Sequence, residues 1–270
     1  MNRLVRAGLL LTSLSLPLLP LAAQHADHAA HKAADPIATA VAAPSRTAKN
    51  VARDQYRHPA ETLAFFGVKP TQTVVEYSPS GGWYSEILAP LLHQHGTFYA
   101  LQPTGRYLDG YKTFLAANPA VYDKVKLVGY PEATATIPAN SVDTVLTFRN
   151  VHNMVMAGNE AATFKAFFDM LKPGGTLGVV DHRLPEDRDT ALEKTSGYLK
   201  VSTIRRIAES AGFEYVGASE INANAKDTAD WPKGVWTLPP SLSQKDVDRD
   251  KYLAIGESDR MTLKFRKPGK

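Results

Sequence analysis

The stretch VVEYSPSGGWYSEIL, residues 74–88, constrains the fold of this chain more than any other. A run of apolar and β-branched residues, typical of a buried strand, leads through a turn into a segment with the apolar spacing of a helix. Gly81 and Gly82 let the backbone approach a ligand closely because glycine has no Cβ, and the amides that open a helix attract carboxylates and phosphates. The unit predicts either a binding site at the end of the strand or a purely structural tight turn.

The alternation of strands and helices continues along the chain. Apolar runs of strand length lie at 71–77, 96–102, 125–129, 140–148, 176–181, 213–218 and 261–267. Apolar residues at helical spacing lie around 59–68, 84–92, 106–118, 164–171 and 201–211. Near-continuous apolar strands that alternate with helices predict an α/β fold, in which helices cover both faces of a parallel sheet.

The first residues, 1–23, have the pattern of a secretory signal peptide. Arg3 and Arg6 precede an uncharged apolar run that ends in small residues. An uncleaved membrane anchor is the other interpretation, but Pro17 and Pro20 interrupt the run, whose apolar core falls short of the roughly 20 residues that span a bilayer. We therefore expect a periplasmic or secreted protein with no stable membrane insertion after signal removal.

The next segment, 24–53, is rich in alanine and poor in large apolar residues, which predicts a flexible linker ahead of a folded domain over 54–270. It contains His25, His28 and His31 at three-residue spacing. If helical, these imidazoles share one side of the helix and can share a metal ion. The composition favours the alternative, a solvated tail whose histidines have no specific role, and we assign no metal site.

Composition and charge exclude several classes of function. Net charge is +4, and removal of the two signal-peptide arginines lowers it to +2 (4 − 2), too little to indicate a nucleic-acid partner. No basic cluster with interleaved aromatic residues is present either. The sequence has no cysteine, which excludes disulfides, thiolate metal sites and cysteine nucleophiles. A nucleic-acid partner is therefore not expected, and oligomeric state is not predicted.

Polar residues follow several of the predicted strands, at the edge where parallel sheets of this kind bind ligands. They are Glu76, Gln102, Tyr130, Arg149, Asn150, His152, Asn153, Asp181, His182 and Arg183. A nicotinamide site requires G-x-G-x-x-G and an acidic residue about 20 positions on. Here Gly81 and Gly82 are adjacent and the second strand ends in Gln102, so a nicotinamide cofactor is disfavoured.

Five segments together resemble the class I S-adenosylmethionine-dependent methyltransferases. They are VVEYSPSGGWYSEILAPLL, PANSVDTVLTFRNVHNMV, FFDMLKPGGTLGVVDHR, AESAGFEYVG and SDRMTLKFRKP. The first-strand motif and LKPGG are general in the superfamily. PxGGWYxEILAP and TFRNxHN are similar to a narrower bacterial, often exported, branch of predicted methyltransferases. The resemblance covers residues 53–268.

The resemblance implies a Rossmann-like sheet of seven strands, mostly parallel with an antiparallel last strand. It implies transfer of a methyl group from S-adenosylmethionine to a small molecule or an envelope component. The positions that match the cofactor site are Glu76, Ser78, Ser80, Gly81, Gly82, Trp83, Gln102 and Tyr130. Those that match the substrate pocket are Arg149, Asn153, His182 and Arg183, with Asn150 and His152 as the catalytic candidates.

Two positions depart from the pattern of that family. Ser80 replaces a glycine, at a cost of about 1–2 kcal/mol if its φ is positive. Gln102 replaces the acid that holds the ribose, so charge-assisted hydrogen bonds are lost. Both changes predict weakened cofactor binding and leave a second hypothesis, a non-catalytic binding protein that keeps the fold.

His152 is the predicted general base because imidazole titrates near neutral pH. Its segment, NVHN, has a structural alternative. It can begin a helix whose side chains cap backbone amides.

Overall fold

The computed structural model describes residues 35–131 and 136–269. The predicted signal peptide, 1–23, and the three histidines His25, His28 and His31 lie outside these ranges. Residues 34–270 cluster as one unit by their contacts. No helix within the described ranges has the length and apolar character needed to cross a bilayer.

Strands and helices alternate through most of this unit. The strands are β1 Thr73–Tyr77, β2 Thr97–Pro103, β3 Lys126–Tyr130, β4 Val142–Phe148, β5 Leu171–His182, β6 Glu214–Ser219, β7 Pro232–Val235 and β8 Arg260–Arg266. The helices are α1 Pro36–Val41, α2 Ala48–Val51, α3 Asp54–Arg57, α4 Pro59–Phe66, α5 Ser85–Leu92, α6 Arg106–Ala116, α7 Pro119–Tyr122, α8 Val151–Ala157, α9 Glu160–Met170, α10 Val201–Ser210 and α11 Arg249–Ile255, with a 3-10 turn at Thr190–Lys194. All seven predicted strands are present, and β7 is additional.

Seven strands form one sheet in the order β3-β2-β1-β4-β5-β8-β6. The pairings are parallel except that β8 runs antiparallel to both β5 and β6. The mostly parallel Rossmann-like sheet with an antiparallel last strand is therefore confirmed. Strand order reverses between β1 and β4, and such a switch point opens a crevice at the carboxyl ends of the strands.

Helices cover both faces of the sheet because successive strand residues point to opposite sides. Val75 belongs to one core cluster, which contains Phe164 and Phe167 of α9. Its neighbour Val74 belongs to the other cluster, which contains Leu63 of α4. Central strands buried on both faces explain the near-continuous apolar runs in the sequence.

The N-terminal segment differs from its prediction as a linker. Residues 36–53 form α1 and α2 and the residues that directly precede α3. Ile37 and Ala40 are buried against α5, and the backbone oxygen of Asn50 accepts a hydrogen bond from Trp83 Nε1 at 3.0 Å. The predicted boundary at residue 54 is therefore wrong. The helices of this segment are rich in alanine and too short to show apolar periodicity. They are held by contacts with residues that are distant in the sequence.

Candidate functional site

Two adjoining cavities lie at the carboxyl ends of β1, β4 and β5. The first, of about 500 Å³, is called the arginine cavity because Arg53, Arg57, Arg149 and Arg260 line it. The second, of about 190 Å³, is called the histidine cavity because His152 and His182 line it. The two cavities share the lining residues Ser80, Arg149 and Asn150. The first volume is within the range of small-molecule sites.

The turn after β1 forms one wall of the arginine cavity. Ser78 and Ser80 have φ of 52° and 51°, so the strain anticipated at Ser80 is present at both serines. Gly81 lines the cavity and a Cβ there would meet nothing within 4 Å. Gly82 has φ of 78°, and a Cβ there would lie 2.5 Å from the ring of Phe114. The two glycines thus differ: Gly81 faces open space and Gly82 faces packed protein.

Glu76 lies at the end of β1 and lines the arginine cavity. Ser85 Oγ donates to its carboxyl at 2.8 Å, and Tyr111 OH donates to Ser85 Oγ at 2.7 Å. Burial raises the pKa of Glu76 to about 8, against the opposing effect of the Ser85 hydrogen bond. At neutral pH the group is therefore mainly a neutral acid that can donate as well as accept a hydrogen bond.

Gln102 is fully buried and does not line either cavity. Its Oε1 accepts from the Ser80 amide, and its Nε2 donates to the carbonyls of Ser80 and Tyr107, each at 3.3 Å. The side chain predicted to hold a ribose instead holds the β1 turn against the start of α6. A strand-end position does not fix the direction of a flexible side chain, and the ribose-binding role of Gln102 stays a prediction.

Tyr130 is also absent from the linings of both cavities. Its hydroxyl is 2.7 Å from Thr163 Oγ1, and its ring packs edge-on against Tyr77 at 5.3 Å. The predicted adenine neighbour is thus engaged with the α9 side of the core.

Three arginines of the arginine cavity share one carboxylate. Glu257 pairs with Arg53 at 2.6 Å, with Arg57 at 3.1 Å and with Arg260 at 3.1 Å. These four residues are absent from the predicted site. Nothing local in the sequence distinguishes them, because Arg57 and Glu257 come together only through the packing of the N-terminal helices on the end of the chain.

Arg149 was predicted in the substrate pocket, and it lines both cavities. Its φ of 61° is in the left-handed region, and its amide donates to the Val180 carbonyl at 2.7 Å. Among the residues that the structure describes, its guanidinium has no hydrogen-bond or ion-pair partner. Burial lowers the pKa of Arg149 to about 10, so the group stays charged at neutral pH.

His152 lines the histidine cavity and forms a buried pair with Asp181. Nδ1 of His152 is 2.7 Å from one carboxylate oxygen of Asp181, and the His152 amide donates to the other at 3.1 Å. Nδ1 therefore carries the proton, since a carboxylate only accepts. Nε2 has no hydrogen-bond partner within the described ranges. The capping alternative is not supported, because Asn150 makes no side-chain cap bond and Asp181 accepts from the helix amide.

The other predicted residues divide between the cavity walls and the scaffold. Asn153 lines the histidine cavity, as does His182, whose Nδ1 is 2.5 Å from Ser258 Oγ. Burial holds the pKa of His182 well below its usual range, so its imidazole is neutral. Asn150 Nδ2 donates to three backbone carbonyls, of Tyr77, Ser78 and Phe148, and joins the ends of β1 and β4.

Arg183 was predicted in the substrate pocket but lines neither cavity. Its guanidinium bonds to Asp259 at 2.7 Å and to Glu220 at 2.9 Å. Those two carboxylates hold the side chain against the loops around β8. The substrate-pocket role of Arg183 stays a prediction, which its place outside both cavity linings does not support.

Potential ligand atoms of His152, Asp181 and His182 lie within 4.8 Å of one another, close enough to hold one metal ion. Both carboxylate oxygens of Asp181 already accept hydrogen bonds, one of them from the His182 amide at 2.8 Å. In this structure His152 and His182 are therefore joined to Asp181 by hydrogen bonds, which do not leave its carboxylate oxygens free.

Comparison with known proteins finds relatives by structure only. No family model matches the chain, and no curated protein matches it. A SAM-dependent methyltransferase from Aquifex aeolicus aligns over 86% of this chain and 98% of its own, with 16% identity and a TM-score of 0.56. A structure described as a sarcosine dimethylglycine methyltransferase from Galdieria sulphuraria aligns over 82% of this chain and 87% of its own, with 14% identity and a TM-score of 0.56. The [4+2]-cyclase SpnF aligns over 79% of this chain and 82% of its own, with 14% identity and a TM-score of 0.55.

These likenesses establish that the chain has the fold of the SAM-dependent methyltransferases. At such low identity they do not transfer activity, and the cyclase among them illustrates that one fold hosts different reactions.

S-adenosylmethionine is the cofactor that this fold implies, and the cavity residues fit its amino-acid end. Guanidinium groups suit a carboxylate, and the oxygens of Glu76 suit an ammonium group. The ribose has no acidic partner at the end of β2, where Gln102 is engaged with Ser80 and Tyr107.

Proposed function

We propose that this protein is an S-adenosylmethionine-dependent methyltransferase that acts on a small molecule. The observation that carries the proposal is the buried His152–Asp181 pair, whose histidine lines a cavity joined to the arginine cavity at the strand switch point. The fold supports the same assignment. A positioned base beside a ligand-sized cavity favours catalysis over the alternative of a non-catalytic binding protein.

Methyl transfer needs a nucleophile in line with the methyl group and, for a hydroxyl or amine, removal of a proton. S-adenosylmethionine, when bound, supplies the methyl group. The unpartnered Nε2 of His152 accepts the proton of the acceptor. Asp181 holds Nδ1–H, fixes the tautomer and stabilises the imidazolium that results.

Export is part of the proposal. It rests on the signal-like residues 1–23 and on the resemblance of TFRNxHN and PxGGWYxEILAP to an exported branch. The acceptor is then a small molecule or an envelope component reached in the periplasm or outside the cell. Mass spectrometry of the mature N-terminus tests cleavage at the end of residues 1–23.

Calorimetric titration with S-adenosylhomocysteine tests the cofactor. We compare the protein lacking residues 1–23 with the variants Gly81→Val and Gly217→Val. Both glycines have ordinary φ, and a Cβ at either meets nothing within 4 Å, so both variants should fold. Of these two glycines, Gly81 lines the arginine cavity and Gly217 does not.

We expect the parent and Gly217→Val to bind and Gly81→Val to lose at least tenfold in affinity. Absence of binding by the parent protein at millimolar S-adenosylhomocysteine would reject the proposed function. Equal affinity in all three proteins would place the cofactor elsewhere.

A further inference from the structure

The arginine cavity contains more positive charge than its own residues compensate. Four guanidiniums, of Arg53, Arg57, Arg149 and Arg260, line it, and Glu257 is the carboxylate that pairs with three of them. The exposed Lys49 lies on the same wall. Four guanidiniums less one carboxylate leave an excess of three positive charges before Lys49 is counted.

The side chains of Arg57 and Arg260 are buried, so water compensates their positive charge poorly. Arg57 is 6% exposed and Arg260 is 3% exposed. Among the described residues, buried atoms Nη2 of Arg53, Nη2 of Arg57 and Nε of Arg260 have no hydrogen-bond partner. Burying a charge without its partner is unfavourable. Burial accordingly lowers the pKa of Arg57 and of Arg260.

Glu76 does not supply the missing negative charge. Among the described residues it is the one carboxyl group that lines the arginine cavity, and it makes no hydrogen bond to an arginine. Burial raises its pKa to about 8, so it is mainly protonated at neutral pH. The excess positive charge of the wall therefore stands in the free protein.

The cofactor of the proposed reaction does not balance this charge either. S-adenosylmethionine carries a sulfonium, an ammonium and one carboxylate, a net charge of +1 at neutral pH. Its carboxylate would pair with part of the guanidinium surface, while its two cationic groups would add positive charge. A second, anionic molecule would lower the positive charge that remains.

We propose, on the basis of the methyltransferase function above, that the methyl acceptor is a small organic acid whose carboxylate or phosphate group binds Arg149 and Arg57. Arg149 lines both cavities, so an anion on its guanidinium reaches the His152 side. The apolar part of the acid has a matching surface. Tyr84 and Phe148 stack at 3.6 Å beside Val180 on the same cavity wall.

Binding of benzoate, with its neutral isostere benzamide, tests this assignment. The variant Arg149→Gln removes the unpaired guanidinium. The matched control Arg206→Gln removes an exposed arginine of α10 that lines neither cavity. Each protein is titrated by calorimetry with benzoate, benzamide and inorganic phosphate, with and without saturating S-adenosylhomocysteine, and its melting temperature is recorded.

We expect the parent and Arg206→Gln to bind benzoate at least tenfold more tightly than benzamide, also in the presence of S-adenosylhomocysteine. Arg149→Gln should lose at least tenfold in benzoate affinity, yet melt at a higher temperature than the parent because an uncompensated charge is gone. An arginine with a merely structural role would lower the melting temperature when replaced.

Three results would overturn the inference: equal binding of benzoate and benzamide, no effect of Arg149→Gln, or competition between benzoate and S-adenosylhomocysteine. Competition would assign the arginines to the cofactor carboxylate instead of the acceptor. Benzoate binding by a protein that does not bind S-adenosylhomocysteine would reject methyl transfer and leave an anion-binding protein, so the two failures are distinguishable. Phosphate binding in place of benzoate would identify a phosphorylated acceptor.

Discussion

The carboxyl edge of the sheet has two halves that differ in how their polar groups are partnered. Beyond β1, β4 and β5, Arg149 and His152 line cavities, and neither the guanidinium nor Nε2 has a hydrogen-bond partner among the described residues. Beyond β2 and β3, Gln102 and Tyr130 bond to neighbouring protein groups. Strand-end position alone therefore does not identify a ligand site. Polar groups that line a cavity and lack a protein partner are the stronger candidates, because they still need a hydrogen-bond partner.

The adjacent glycines of the β1 turn give the largest expected effect, because Gly82 faces packed protein and Gly81 lines a cavity. Gly82→Val forces a Cβ into the ring of Phe114 at a φ of 78°. Strain and overpacking together should lower the free energy of unfolding by about 2–5 kcal/mol. Gly81→Val should change it by less than about 1 kcal/mol, since that position is open. Urea denaturation of both variants measures the difference, and equal effects would show that Gly82 is no more tightly packed than Gly81.

The next largest effect is on the pH dependence of stability and comes from the ionisation of Glu76. In the unfolded chain its pKa is near 4.5, and in the folded protein about 8. Between these values the folded state retains a proton that the unfolded state has lost, so the free energy of unfolding falls as pH rises from 4.5 to 8. Glu76→Gln, which stays neutral, should be more stable than the parent by a few kcal/mol above pH 8. Parallel pH profiles for the two proteins would show that Glu76 is not a buried neutral acid.

Gln102→Glu restores the acid of the methyltransferase pattern and tests the half of the sheet edge beyond β2 and β3. The new carboxylate would face the carbonyls of Ser80 and Tyr107, where Nε2 now donates. We expect a loss of about 1–3 kcal/mol in the free energy of unfolding and no tighter binding of S-adenosylhomocysteine. Gln94→Glu, at an exposed position, serves as the control and should change stability by less than about 0.5 kcal/mol. Tighter binding by Gln102→Glu would show that residue 102 reaches the ribose.

Ser80→Gly should have the smallest effect. The glycine removes strain at a φ of 51°, and the hydroxyl it removes makes only a 3.4 Å contact to the Ser78 carbonyl. A gain of up to about 1 kcal/mol is expected after the entropy of glycine is subtracted. Ser219→Gly in β6 is the matched exchange at ordinary φ, and it should lose about 0.5–1 kcal/mol. Loss of stability in Ser80→Gly would show that the serine stabilises the turn.

Local pattern in the sequence predicted the fold class and part of the site. Alternating strand and helix periodicities are local properties, and parallel strands bring their carboxyl ends to one edge. Glu76, Gly81, Arg149 and His152 could therefore be placed near one another from sequence. The resemblance of the motifs to methyltransferases added the antiparallel last strand, which the pairing of β8 confirms.

Tertiary structure alone decided which of these positions face a cavity and what charge surrounds them. Glu257 meets Arg53 across 204 positions of sequence, and no local pattern encodes that contact. Gln102 turned toward protein because the β1 turn offered backbone partners within its reach. Periodicity reports which face of an element is buried, whereas the pairing of buried charges depends on elements that meet only when the whole chain has packed.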